Sequence, residues 1–274
     1  DLATLEAFRE YVNAGSGADE YFKLTADIDM SEKYGADIGG SEVSWTPIGN
    51  DANQFKGNFD GGGHKISGLY INSTSDYQGL FGYVGEGGTV QDLGVDGTVS
   101  GSGFVGGVVG INNGTVTSCY NTGDVSGNGY VGGVVGYNGG TVTNCYNTGT
   151  VRDINDANEQ AATGYQIGGV AGGNDRTVTN CYYLTGTAVG GINGADAEGG
   201  AEAKTAAEFA TQSTFVGWDF DGTWSMDNFH GRPVLTAIAE TDYFSGEGTA
   251  ESPYLIPDLA TLEAFREYVN AGSG

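Results

Sequence analysis

The chain has 274 residues, including 51 glycines and only 4 prolines, and its hydrophobic fraction of 38% can supply a substantial core. This composition excludes collagen and Pro-rich linkers, and Gly combined with Val, Thr and Tyr is typical of many short strands joined by tight turns. A formal net charge of −25 excludes nucleic acid and anionic membrane surfaces as partners, because both require clustered Lys or Arg, and it suits a salty medium that screens self-repulsion.

Residues 1–16 are predicted to form a capping helix. Asp1 is a suitable N-cap and Gly15 a suitable stop, and one helix face carries the apolar residues Leu2, Leu5, Phe8 and Val12. No run approaches the roughly 18 apolar residues of a membrane span, so we expect no membrane insertion. Residues 1–17 also lack the basic front and apolar run of a signal peptide, so secretion would need a signal further upstream.

Residues 17–76 are predicted to form the first rungs of a strand-rich stack, from TADIDM through WTPIGN to FKGNFDGGGHKISGLYIN. Asp27 and Asp29 share one strand face and Asp60 follows at a turn, which raises the alternative of a polysaccharide-degrading enzyme. A glycosidase needs two carboxylates about 5–9.5 Å apart in a cleft, and a lyase needs a basic residue, which these rungs rarely supply. His64 and His230 have no nucleophile pattern beside them, so we expect no catalytic residue.

Residues 77–190 contain four repeats that begin at Tyr77, Phe104, Tyr130 and Tyr165. Each repeat has an apolar pair between glycines, a Gly/Asn turn, a Thr-Val strand start, a bend and a second Gly turn. Such short strands cannot bury both faces alone, so the repeats must stack on one another. A period near 26 residues with three strands per repeat predicts an all-β fold, a right-handed parallel β-helix (solenoid) with short capping helices and rungs about 4.8 Å apart.

Stacking places equivalent residues of successive repeats in columns. One interior column contains Val90, Val116, Val142 and Val178, and a second interior ladder contains Leu93, Cys119, Cys145 and Cys181. Both can point inward only if the chain bends between them, because strict alternation would place them on opposite faces. The bend is predicted at Asp92, Ser118, Asn144 and Asn180, with Tyr120, Tyr146 and Tyr182 in an outer ladder and Asn121 and Asn147 stacked at a turn.

The cysteines and the glycine motifs each allow two interpretations. Adjacent rungs would bring Cys119 and Cys145 within disulfide reach, but we expect a ladder of small buried thiols, and the spacing does not suit zinc. Residues 101–106 and 127–132 fit G-x-G-x-x-G, which in a dinucleotide site precedes a helix. Here another strand and a Gly turn follow, so we interpret both motifs as the glycine turns that separate the strands of the repeats.

A polar insertion at residues 152–164 departs from the repeat pattern. It concentrates oxygen ligands of the kind that calcium prefers, at Asp153, Asn155, Asp156, Asn158 and Glu159. The Gly and distal Glu of an EF-hand are missing, and a solvated acidic loop is the alternative. No other cofactor is expected. Asn72 and Asn113 begin glycosylation sequons, and the outer tyrosines could stack on one another or on sugars.

Residues 191–241 are predicted to be a polar loop (191–203), a short capped helix (205–214) and closing strands in WDFDGTWSM and RPVL. Residues 242–274 are predicted to begin a further module, because residues 258–274 repeat residues 1–17 without a substitution. The copied helix has the same apolar face, at Leu259, Leu262, Phe265 and Val269, and so short a helix needs packing to be stable. We expect both faces to form a module–module interface; an arbitrary choice of chain ends is the alternative.

The segments GLFGYV, GGVVGYNGGTVTNCYNTG and FDGGGHKISGLYIN resemble the GLUG-motif repeats of large bacterial and archaeal surface proteins. GTAESPYLIPDLATLEAF and WDFDGTW with GRPVL resemble the start and the end of such a module. The resemblance implies a β-helix module of secreted adhesins and implies no catalytic residues. We therefore expect a non-catalytic cell-surface module that stacks head to tail with further copies of itself, with surface glycans as a second class of partner. A β-helix carbohydrate-active enzyme or carbohydrate-binding module is the alternative.

Overall fold

The computed structural model describes residues 1–154, 166–195, 200–227 and 229–236. The described part begins with helix α1 (Leu2–Asn13). Six strands follow before the repeats: β1 (Tyr21–Lys23), β2 (Ile28–Asp29), β3 (Gly35–Ile38), β4 (Ser41–Val43), β5 (Asn58–Asp60) and β6 (Lys65–Asn72). β3 and β4 form an antiparallel pair, whereas β1 pairs with β5 and β2 with β6 in parallel.

The repeats consist of short strands in the same order each time. The first two contain β7 (Phe81–Val84), β8 (Thr89–Ser100), β9 (Phe104–Gly106), β10 (Val109–Asn112), β11 (Thr115–Asn121) and β12 (Asp124–Gly127). The last two contain β13 (Tyr130–Gly132), β14 (Val135–Asn138), β15 (Thr141–Thr143), β16 (Tyr146–Asn147), β17 (Val151–Asp153), β18 (Gln166–Gly168), β19 (Ala171–Asn174), β20 (Thr177–Thr179) and β21 (Cys181–Leu184).

The C-terminal part contains β22 (Ala201–Lys204), helix α2 (Ala206–Phe209), a 3-10 turn (Gln212–Thr214), β23 (Trp224–Asp227) and β24 (Arg232–Leu235). The predicted polar loop therefore ends early, because β22 pairs in parallel with β21 and extends the sheet. The predicted capped helix is confirmed but shorter, with a capping box between Thr205 and Glu208. β23 and β24 are the predicted closing strands and form an antiparallel pair.

Equivalent strands of successive repeats pair in parallel and in register. They form one large sheet, a four-stranded sheet ordered β19-β14-β10-β7 and a three-stranded sheet ordered β18-β13-β9. Val109 pairs with Val135, and Asn112 pairs with Asn138, one repeat of 26 residues further on. The predicted all-β fold with parallel sheets is therefore confirmed among the described residues.

The predicted bends lie at the predicted positions. Asp92, Ser118, Asn144 and Asn180 all have left-handed backbone, with φ of 51°, 50°, 53° and 53°. Polar residues with short side chains adopt this conformation more readily than others. The bend turns two side chains that flank it to the same interior, so Val116 and Cys119 are both fully buried.

Glycine lets two of the sheets touch through their backbones. A Cβ added at Gly110 would lie 2.6 Å from the carbonyl oxygen of Gly82, and one added at Gly136 would lie 2.5 Å from the backbone nitrogen of Val105. The second contact joins β14 to β9, which belong to different sheets. No larger side chain fits there without moving the sheets apart, which explains why this glycine recurs in each repeat.

The tyrosine ladder is stacked as predicted, but it is not an outer surface. The rings of Tyr120 and Tyr146 are parallel, with centroids 5.0 Å apart, and both residues are at most 1% exposed. Residues 205–236 cover them and form a second core, in which the Tyr146 hydroxyl donates to the carbonyl oxygen of Pro233. The prediction failed because this cover comes from outside the repeats.

The described chain ends beside its first strands. Thr236 and Leu235 line one surface pocket together with Lys23 of β1 and Asp60 of β5. The C-terminal segment therefore returns along the tyrosine ladder toward the end of the sheet at which the chain began. No helix in the described ranges is long and apolar enough to cross a membrane.

Replacing Gly136 with Ala should destabilise the fold. The new Cβ would meet the backbone of β9 rather than a movable side chain, so we expect a loss of about 1–3 kcal/mol in the free energy of unfolding. Gly35→Ala is the matched control, because its Cβ would meet only the end of the Ile38 side chain, at 3.2 Å. Equal losses in denaturant unfolding of the two variants would contradict the proposed sheet contact.

Candidate functional site

The three cysteines form the predicted interior thiol ladder. Cys119, Cys145 and Cys181 are free and fully buried, and Leu93 pairs with Cys119 at the start of the column. The backbone N–H of Cys119 lies 3.4 Å from the sulfur of Cys145. Burial raises the pKa of the Cys145 and Cys181 thiols well above the usual range, which keeps them protonated and unreactive.

Two ladders of asparagine side chains connect the repeats. The predicted one is present, since Asn121 donates to the side-chain oxygen of Asn147 over 2.8 Å. A second ladder, which sequence reasoning missed, runs from Asn112 to Asn138 (2.9 Å) and from Asn138 to Asn174 (2.8 Å). Its signal was visible as an asparagine at one position in the repeats. Each buried amide is thus satisfied by the same residue of the next repeat.

The carboxylates that raised the enzyme alternative are engaged in local contacts. Asp27 lies 3.0 Å from His64 Nδ1, and Asp29 accepts the backbone N–H of Ser31. Asp60 forms an ion pair with Lys23 at 2.9 Å. His230 likewise contacts Asp227, at 2.6 Å. These arrangements hold turns together and leave each carboxylate oriented by its neighbours.

The predicted calcium ligands lie only partly within the described residues, whereas both predicted glycosylation sites lie within them. Asp153 is buried at the end of β17, whereas Asn155, Asp156, Asn158 and Glu159 lie outside the described residues. No group of three or more His, Cys, Asp or Glu able to hold a metal occurs in the described part. Asn72 is exposed and its amide contacts the Glu42 carboxylate, while the amide of Asn113 donates to the Tyr83 hydroxyl.

Helix α1 packs on the chain's own first strands. Leu5 and Val12 are 3% and 1% exposed, so these two cannot belong to a surface offered to another module. Leu2 and Phe8 are partly buried against the same core, and the Phe8 ring centroid lies 4.5 Å from that of Phe22 and 5.5 Å from that of Phe59. The predicted interface at these positions is therefore an intrachain contact.

Polar contacts fix the orientation of α1. The side chain of Asn13 donates to the carbonyl oxygen of Pro47 over 3.0 Å and accepts the N–H of Gly49 over 2.8 Å. In the first half of the helix, the Glu6 carboxylate accepts hydrogen bonds from Lys33 and Tyr34, and these hydrogen bonds hold the pKa of Glu6 below the usual range. The equivalent copied residues Leu259, Leu262, Phe265 and Val269 lie outside the described residues.

A row of half-buried aromatic rings lies on the third sheet. Tyr77 stacks on Phe104 with centroids 5.6 Å apart and ring planes within 2°, and Phe104 stacks on Tyr130 at 5.3 Å and 4°. Sequence reasoning missed this row, although an aromatic residue begins each repeat. Tyr137 packs edge-on against Tyr130, and its hydrogen bond to Asp175 raises the pKa of Tyr137 to about 12.

The row ends at a groove of about 400 Å³, which we call the Tyr77 groove. It is lined by Asn13, Ser44, Trp45, Thr46, Pro47, Gly49, Asn50, Asn72, Ser73, Ser75, Asp76, Tyr77 and Gln78. Asp76 is the one carboxylate among these lining residues, and they include no Lys or Arg. Burial, and after it the nearby carboxylates of Asp51 and Asp76, raise the pKa of Tyr77 above its usual range.

Comparison with known proteins identifies the repeats. Residues 127–152 match the family model of the GLUG motif, which confirms the predicted GLUG repeats. A protein described as a Gly-rich membrane protein of Evansella cellulosilytica is 40% identical over 119 residues, which cover 42% of this chain and 13% of that protein. Halomucin of Haloquadratum walsbyi is 36% identical over 126 residues, which cover 42% of this chain and 1% of halomucin. The chain thus spans a small part of both curated relatives.

A solved structure shares the fold. The crystal structure of a protein described as an immunoglobulin A1 protease from Bacteroides ovatus superposes with a TM-score of 0.56. The match covers 86% of this chain and 90% of that chain, at 20% sequence identity. At this identity, the similarity extends to the fold alone.

The buried thiols give a direct test of the ladder. In the folded protein at about pH 8, iodoacetamide should label none of the three cysteines, because all three are fully buried and the reagent reaches them only after unfolding. In denaturant all three should react, as counted by mass spectrometry. A Ser41→Cys variant, with one added thiol at an exposed position of β4, should gain a single label while folded. Labelling of the folded parent at the rate of the denatured protein would exclude the ladder.

Proposed function

We propose that this GLUG-repeat chain is a non-catalytic structural module of an extracellular tandem-repeat surface protein. In this proposal, modules follow one another head to tail and build a fibre or an adhesin stalk. The single observation that carries it is the exact recurrence of residues 1–17 at residues 258–274, because the first copy serves as a lid on the strands that follow it. A second copy is then expected to begin a second module.

The fold assigned to each module is a right-handed parallel β-helix. Parallel, in-register pairing of equivalent strands in successive repeats supports this assignment, because the sheets grow from one repeat to the next along the chain. The columns of Val, Cys and Asn support it as well. A rod of this kind resists bending, since neighbouring repeats share hydrogen bonds throughout the three sheets.

The lid has a physical reason. The first strand of a parallel stack leaves backbone groups and apolar side chains uncovered, and such an edge pairs readily with other chains. Phe8 covers the rings of Phe22 and Phe59, and the polar contacts of Asn13 fix where the helix ends. Since α1 completes its own module, the identical copy should complete the next module in the same way.

Surface location and the absence of catalysis have separate support. The relatives that share the repeats are described as a membrane protein and a halomucin, and the net charge of −25 favours a soluble surface in a saline medium. The engaged carboxylates Asp27, Asp29 and Asp60 support a non-catalytic role. The Tyr77 groove, with one carboxylate, does not supply the pair that a glycosidase needs.

Matched substitutions in the two helix copies distinguish a lid from an intermodule seal. In the 274-residue chain, Leu5→Ala should lower the free energy of unfolding by about 2–5 kcal/mol, because Leu5 is buried against the first strands. Leu262→Ala changes the identical position of the copy and should leave that free energy unchanged. Denaturant unfolding followed by circular dichroism gives both values.

The same pair reports on the alternative in which the copy docks on the first module. In that case Leu262→Ala would destabilise the 274-residue chain as Leu5→Ala does, and the lid proposal would be wrong. In a chain of two complete periods, Leu262→Ala should lower the stability of the second module alone.

Electron microscopy tests the array itself. Negative-stain images of a chain of four complete periods should show a row of bodies with regular axial spacing, because identical lids and links repeat identical geometry. A single period should appear as isolated particles and is the control. Four-period chains whose bodies show no constant spacing would contradict the fibre.

A further inference from the structure

We propose that the Tyr77 groove is a binding site for a neutral oligosaccharide, in which the Tyr77 ring stacks on one pyranose. This proposal deepens the adhesin role and rests on the surface location of the module, but it does not require a tandem array.

Tyr77 is the terminal ring of the aromatic row. One ring face stacks on Phe104, and the remaining ring contact described for Tyr77 is a tilted one with Tyr83, at 5.9 Å. At the other end of the row, Tyr137 packs edge-on against Tyr130. Tyr77 lines the groove, and in this proposal the ring face turned away from Phe104 meets the sugar. Aromatic faces bind the C–H face of a pyranose, as they bind other apolar surfaces.

The backbone of Tyr77 is in an unfavourable conformation that directs the ring. Its φ is 61°, whereas the equivalent residues Phe104 and Tyr130 are not among the described residues with positive φ. A bulky residue keeps a left-handed backbone only when its surroundings enforce it, and such positions concentrate at functional sites. Both chain neighbours of Tyr77 are held in place. Gln78 accepts and donates backbone hydrogen bonds with β9, and the carboxylate of Asp76 accepts the N–H of Gly103.

The lining of the groove matches sugar hydroxyl groups. Asn50 is fixed because its side-chain oxygen accepts the N–H groups of Ala52 and Asn53, over 3.0 and 2.9 Å. The exposed hydroxyl of Ser75 and the second carboxylate oxygen of Asp76 add a donor and acceptors at the same surface. The volume of about 400 Å³ lies in the range of small-ligand sites, about 300–1,000 Å³.

Charge selects among the saccharides. The groove contains Asp76 and no Lys or Arg, and the chain carries a net charge of −25. Uronic and sialic acids would be repelled, because nothing in the groove neutralises a second carboxylate. The expected ligand is therefore a neutral hexose or N-acetylhexosamine polymer, of the kind displayed on cell surfaces.

The test uses the full chain and four neutral probes: cellohexaose, chitohexaose, maltohexaose and mannohexaose. Saturation-transfer NMR should detect binding of at least one probe, and calorimetric titration should give its Kd. Tyr77→Ala should raise that Kd by about tenfold or more. Tyr77→Phe keeps the ring, and its Kd should stay within about threefold of the parent value. Tyr21→Ala removes a ring that is 85% exposed and lies outside the groove, and it should leave the Kd unchanged.

A second variant keeps the test decisive if Tyr77→Ala perturbs the fold. Ser75→Trp leaves Tyr77 in place and fills the groove from an exposed position, so it should abolish binding while the circular dichroism spectrum stays that of the parent. The proposal is wrong if no probe binds at a concentration of about 5 mM, which would detect a Kd in the millimolar range. It is equally wrong if Tyr21→Ala weakens binding as much as the groove variants do. Neither result bears on the proposed tandem array, which electron microscopy tests independently.

Discussion

In-register parallel pairing of equivalent residues constrains the rest of this structure. When a strand pairs with the same strand of the next repeat, each side chain lies beside its own copy. Apolar residues then form columns, as Val116 and Val142 do. A polar residue buried in such a column must form a hydrogen bond with the equivalent residue of the next repeat. Asparagine meets this condition because its amide both donates and accepts, so Asn121 bonds Asn147 and Asn112 bonds Asn138. A charge repeated at one buried position would meet a like charge one strand away, so the repeated interior columns consist of Val, Cys and Asn.

The same pairing explains both the glycines and the bends. Sheets that repeat every 26 residues must close the distance between them in the same way each time, so Gly110 and Gly136 occur at equivalent positions where backbones touch. The left-handed bends at Ser118 and Asn144 turn the chain at one point of every repeat. A bend of this kind favours short polar residues or glycine, which accounts for Asp, Ser and Asn at this position of the repeats.

Much of this could be predicted from sequence because each feature recurs. The bend, the thiol ladder and the Asn121–Asn147 pair all follow from comparing one repeat with the next. The wrong predictions concern parts of the chain that do not repeat, whereas the ladder that starts at Asn112 and the row of rings were missed although both recur. The cover over Tyr146 comes from residues 205–236, and the strand at 201–204 is the last addition to the sheet. The Tyr77 groove escaped prediction for the same reason, because the row of rings ends where the irregular first strands begin and only the folded chain brings Asn50 beside Tyr77.

The position of the described chain's end affects the form of the proposed array. Helix α1 packs at Phe22 and Phe59, and Thr236 lies beside Lys23 and Asp60 of the same two strands. In the proposed array, the link toward the next module would begin at Thr236, at the end of the sheet that carries the lid. A continuous sheet running through successive modules would need that end to be open, but α1 closes it. In the proposed array the modules would then be separate bodies in series, and the axial spacing would depend on the link between modules rather than on the strand spacing within a sheet.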